Sequence, residues 1–104
     1  MRDALRAEVS GCEICGNAKR KLDIHEICRG PTRQRALDKR YAILAVCRPC
    51  HDKLGSAAEW PEARQLALLK TRRPSDFDLG AYLELTSPRA PRRIEIEDVL
   101  EWME

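Results

Sequence analysis

Two Cys-x2-Cys pairs constrain this chain more than any other feature: Cys12 with Cys15, then 31 intervening residues, then Cys47 with Cys50. Zinc prefers four ligands in a tetrahedron, and two such pairs supply four thiolates while leaving no position open. An ion bound in this way ties distant segments together, and its binding free energy becomes folding free energy. With 104 residues, the chain has room for one domain and an appended element, and its small apolar core would be only marginally self-sufficient. The competing readings are disulfides or unrelated thiols. "MRDALRAEVSGCEICG" contains no apolar segment of signal-peptide length, and no run of about 18 apolar residues exists, which points to a cytoplasmic setting where thiols stay reduced. A closed four-thiolate site is structural, so any reaction centre is expected elsewhere.

The elements fall around those pairs. "RDALRAEV" reads as a short helix that frays, and "CEICG" as a knuckle whose glycine permits a tight turn. "KLDIHEI" alternates like a short strand. "CRGPTRQRALDKR" is a polar, basic loop with a Gly30-Pro31 turn signal. "YAILAVC" is an apolar run of strand length, suited to be the buried partner of the first strand. Pro49 sits where helices commonly begin, so "CRPCHDKLGSA" predicts two or three helical turns, ended or interrupted by Gly55. The second half predicts helices: one capped by Ser56 or restarting at Trp60-Pro61, with Leu66 and Leu69 on one face, and one capped by Ser75. "TSPRAPRR" reads as a linker, and "IEIEDVLEWM" as a short strand or turn entering a terminal helix. The sequence leaves open whether that last segment docks on the core or on another chain. The expected fold class is α+β, with residues 1–57 as the zinc-stabilised domain and residues 58–104 as a helical C-terminal extension.

Charge is unevenly placed. The net charge is +2, but residues 1–57 carry 12 Lys/Arg against 7 Asp/Glu, and residues 58–104 carry 7 against 10. A polyanion would therefore meet the front half. Arg29, Arg33, Arg35, Lys39 and Arg40 crowd the loop before the second strand, with Lys19, Arg20 and Lys21 just ahead of the first. Such residues would grip phosphates without reading bases, and no aromatic interleaves them to stack single-stranded bases. The plain alternative is a solvated loop. Cys28, outside the four-cysteine pattern, reads as a small, partly buried side chain at a strand end.

The chain has only two histidines, and both lie at zinc-framed places: His25 on the first predicted strand and His51 directly after Cys50. A strand–strand–helix unit pinned by zinc can bring them together, and two imidazoles plus waters would leave a metal with sites open to phosphate oxygens. Over roughly Cys12 to Gly55, "CEIC", "LDIHEI" and "AILAVCRPCH" in this order resemble the HNH endonucleases, the ββα-metal (His-Me) finger nucleases, in their zinc-stabilised, treble-clef-like form. "HEICRGPTRQR" resembles a His-Glu-Ile variant of small phage-type members.

The resemblance implies a divalent-metal-dependent endonuclease that nicks or cuts double-stranded DNA in a bacterial or phage-infected cell. It implies structural Zn²⁺ on the four cysteines and a catalytic Mg²⁺, Mn²⁺, Ni²⁺ or Zn²⁺ on His25 and His51. Two positions depart from the family pattern. Glu26 stands where the general base is usually His, and Ala42 about where an Asn or His orients that base. Glu26 would then accept the water proton, as a weaker base than imidazole, or hold the metal. Asp23, two residues from His25 on the same strand face, is a third ligand, a partner to an imidazole N–H, or an exposed acid. The rival expectation is the same fold without catalysis, as a zinc-stabilised DNA-binding or protein-assembly module.

Overall fold

The computed structural model describes residues 2–28, 36, 38–86 and 94–104. Among them are a two-stranded antiparallel sheet and five α-helices, an α+β architecture: α1 Arg2–Glu8, β1 Leu22–Glu26, β2 Ile43–Cys47, α2 Arg48–Lys53, α3 Glu62–Arg72, α4 Leu79–Thr86 and α5 Ile96–Trp102. The strand register sets Leu22 opposite Cys47, Ile24 opposite Ala45, His25 opposite Leu44 and Glu26 opposite Ile43. Every residue of β2 is buried. Its unbroken apolar run therefore reflects cover on both faces rather than a half-solvated strand.

The alternation of side chains divides the sheet. Ile24, Ile43 and Ala45 face Leu5 and Val9, so α1 covers one side. Leu44 and Val46 face a larger core that gathers Ile27, Leu54, Leu66, Leu69, Tyr82 and Val99. This core draws on both halves of the chain, so the boundary expected at residue 57 does not separate two cores.

The outer edge of β2 is closed by side chains and by the knuckle. Glu13 N–H donates to the Ala45 carbonyl at 2.9 Å, and Ala45 N–H donates to Glu13 Oε1 at 2.8 Å. Arg73, at the C-terminus of α3, donates to Glu13 Oε2 at 2.8 Å and to the Ile43 carbonyl at 2.6 Å. Arg72 holds the Glu13 carbonyl at 2.9 Å. An edge strand whose N–H and C=O groups are occupied in this way offers no template for further pairing.

Helix limits differ in detail from the sequence expectations. α2 is only six residues long, because Leu54 buries itself completely at its end and the chain turns through Gly55 and Ser56. α3 starts after Pro61, as expected from Trp60-Pro61. α4 is capped by Asp78, whose Oδ1 accepts from Ala81 N–H at 2.9 Å; Ser75 lies in the preceding turn and is not the cap. α5 begins with a reciprocal Glu95–Asp98 capping box, and it packs on α3.

Candidate functional site

The knuckle is shaped by two glycines. Gly16 sits at φ 80°, a left-handed conformation that side chains disfavour, and its N–H returns to the Cys12 carbonyl at 2.8 Å. A Cβ at Gly11 would lie 2.7 Å from the Gly16 carbonyl oxygen, so only glycine lets the knuckle close. It delivers Cys12 and Cys15 to Cys47, the last residue of β2, and Cys50, in the first turn of α2. The four sulfurs all lie within 4.8 Å of one another, the only group of three or more potential ligands this close among the described residues.

The donor set fits a tetrahedral ion. Cys15 Sγ and Cys47 Sγ are 3.7 Å apart, and Zn–S bonds of ~2.3 Å imply a tetrahedral edge of ~3.8 Å. Burial opposes ionisation of Cys12, yet backbone N–H groups, including those of Cys15 and Ile14 at 3.5 and 3.4 Å, bring its pKa down to about 6. Burial first, and then the neighbouring sulfurs, pushes Cys50 up to about 12. Four such sulfurs resist ionising together, and a divalent cation among them removes that conflict. The four cysteines can therefore hold one structural metal ion such as zinc.

The two histidines do meet. His25 on β1 and His51 on α2 place their ring centroids 5.1 Å apart, edge to face at 76°. Asp23 shares the sheet face of His25, and its Oδ2 lies 3.2 Å from His51 Nδ1 and 3.4 Å from Arg48 Nη1. The hydrogen bond to His51, despite some burial, and the contact with Arg48 hold the Asp23 carboxyl below the usual range. Asp23 is thus held as a partner to an imidazole. Among the described residues it does not complete a close three-ligand set with the two rings.

His25 Nε2 lies 2.8 Å from Oε1 of Gln65, a fully buried side chain on α3. Nothing in the sequence pattern marked Gln65. It is 40 positions from His25 and interrupts an otherwise apolar face.

Glu26 is placed differently. Its register partner is Ile43, and Ile43 belongs to the cluster under α1. Glu26 therefore sits on the sheet face opposite His25. Ala42 is buried, and its carbonyl accepts from Ile27 N–H at 2.9 Å. Cys28 is buried completely, beyond the partial burial expected of it.

Of the basic loop, Arg29, Arg33 and Arg35 lie outside the described residues. Lys39 pairs with Asp38 at 3.7 Å. Arg40 is drawn inward, bonded to Asp76 at 2.9 Å and to Glu8, so its guanidinium has a structural occupation. Lys19, Arg20 and Lys21 are exposed. No helix among the described residues is long and apolar enough to cross a membrane. Comparison of the chain with family models, with curated proteins and with solved structures finds no match.

Proposed function

We propose that this chain is a zinc-stabilised, divalent-metal-dependent DNA endonuclease that hydrolyses phosphodiester bonds at the His25–His51 pair. The observation carrying this reading is the pair itself. The only two histidines of the sequence, 26 positions apart, stand edge to face where β1 meets α2, and one nitrogen of each ring is engaged by another side chain. The resemblance of the Cys12–Gly55 segment to HNH endonucleases supports the same reading. The residues suit a cation: two imidazoles can ligate it and leave positions for water and phosphate oxygen. When bound, the ion would stabilise charge on the scissile phosphate and its leaving oxygen. His25 and His51 would hold it, Asp23 would orient His51, and exposed Lys19, Arg20 and Lys21 would meet flanking phosphates.

A second reading, the same fold as a non-catalytic DNA-binding or assembly module, is favoured by one observation. Glu26, at the position where the family carries its base, lies opposite Ile43 in the strand register, on the sheet face other than that of His25. Plasmid incubated with the protein in Mg²⁺, Mn²⁺ or Ni²⁺ tests both readings. Cleavage is expected for the parent and is expected to be lost in His25→Ala, with its cysteine-bound zinc measured and intact. EDTA alone is ambiguous, because it also competes for that zinc. Glu26→Gln is expected to cleave within a few-fold of the parent; a loss of ~10²-fold, the scale of a general base, would return Glu26 to that role. No cleavage by the parent with any of the ions would leave the module.

A further inference from the structure

We propose that Gln65 is the positioning residue of His25 and that, with Asp23, it imposes opposite tautomers on the two imidazoles. His25 then presents the lone pair of Nδ1, and His51 that of Nε2. The metal role of these nitrogens rests on the function proposed above; the tautomers do not.

The argument begins at the Gln65 amide. Its side chain is completely buried, so both ends need partners. One end lies 2.9 Å from the Trp60 carbonyl oxygen. A carbonyl only accepts, so that end must be the NH₂ group, which removes the usual ambiguity between amide oxygen and nitrogen. The end 2.8 Å from His25 Nε2 is therefore Oε1, and an amide oxygen also only accepts. His25 Nε2 must carry the proton, and in the neutral ring Nδ1 then carries the lone pair.

His51 follows the same logic with the opposite result. Its Nδ1 lies 3.2 Å from Asp23 Oδ2, and a carboxylate accepts, so the proton sits on Nδ1 and the lone pair on Nε2. The two orienting groups also differ in charge. Asp23 brings a negative charge to the site, whereas Gln65 fixes a ring without adding one. A cation binds only a nitrogen that offers a lone pair, so the tautomers decide which atoms of this pair can ligate.

The direct test is long-range ¹H–¹⁵N NMR of the labelled full chain with one zinc bound, at a pH where both rings are neutral. The expected spectrum shows a protonated Nε2 on His25 and a protonated Nδ1 on His51. A second equivalent of Zn²⁺ is expected to shift His25 Nδ1 and His51 Nε2. Gln65→Met keeps the volume but removes the acceptor. It is expected to mix the His25 tautomers and to weaken the second Zn²⁺ by about 10-fold or more, the scale for lost orienting partners, while the first zinc stays bound. Gln65→Glu restores an accepting oxygen and is expected to restore the Nε2–H form.

A protonated Nδ1 on His25 in the parent overturns the inference, whether or not the variants fold. So does an Nε2–H form that persists undiminished in Gln65→Met. The expected tautomers in a protein that cleaves no DNA would uphold this inference and sink the nuclease reading. Cleavage with His25 protonated at Nδ1 would do the reverse.

Discussion

Arg73 shows how much of this fold hangs on single polar side chains. It is buried beside an equally buried Glu13, and it also donates to Asp76 at 2.8 Å and to the carbonyls of Ile43 and Arg40. A buried ion pair contributes little net stability compared with an apolar pair of similar shape. Removing one partner is another matter, since the remaining charge is stranded. Arg73→Met would leave the Glu13 carboxylate and two carbonyls short of donors. It is expected to lower the unfolding free energy by about 3–5 kcal/mol, read as a lower denaturant midpoint. A shift of a few tenths would mean that water reaches this edge. The pairing could not be anticipated from the chain, because Glu13 and Arg73 are 60 positions apart.

The elements are individually weak. β1 and β2 are five residues each, and an isolated hairpin of this size is marginal in water. α1 and α2, at seven and six residues, are too short to persist alone. What can hold them is the cysteine cluster, which joins the knuckle, the end of β2 and the start of α2 at one point. Apparent zinc-binding free energies of roughly 10–16 kcal/mol for such sites rival the whole stability of a typical domain. Cys47→Ser is therefore expected to abolish stoichiometric zinc and cooperative thermal unfolding together. Metal analysis and a circular-dichroism melt check this; a zinc-free variant with an unchanged melting temperature would remove the metal from the account of folding. This scale was readable from spacing, since Cys-x2-Cys geometry is local and Pro49 at the head of α2 is a local helix signal.

At the scale of the whole molecule, the two halves form one body. α3 sends Arg72 and Arg73 into the knuckle, Gln65 to His25, and Leu66 and Leu69 into the core with Leu44 and Val46. The helical extension is thus part of the site's support. A fragment of residues 1–57 with zinc is expected to lack the dispersed amide NMR spectrum of the full chain, because the Leu44–Val46 face and the β2 edge would both be uncovered. A well-dispersed fragment spectrum would show that the front half stands alone. At the far end, α5 buries Val99 against the core but leaves Ile96, Leu100, Trp102 and Met103 exposed, and Arg64 lies between the rings of Trp60 and Trp102 at 3.8 and 5.2 Å.

The two Cys-x2-Cys pairs, the two strands and the short helix after them follow from patterns within a few residues, which local covalent geometry and side-chain alternation make legible. The meeting of the pairs, and of His25 with His51, follows once the zinc-framed strands and helix are joined. The face on which Glu26 falls follows from the same alternation, and the strand register fixes it as the face opposite that of His25. Gln65, Glu13, Arg73 and the inward turn of Arg40 depend on where α3 docks. Docking is settled by buried area and by the pairing of every buried polar group, quantities that belong to the packed molecule and not to any stretch of its chain.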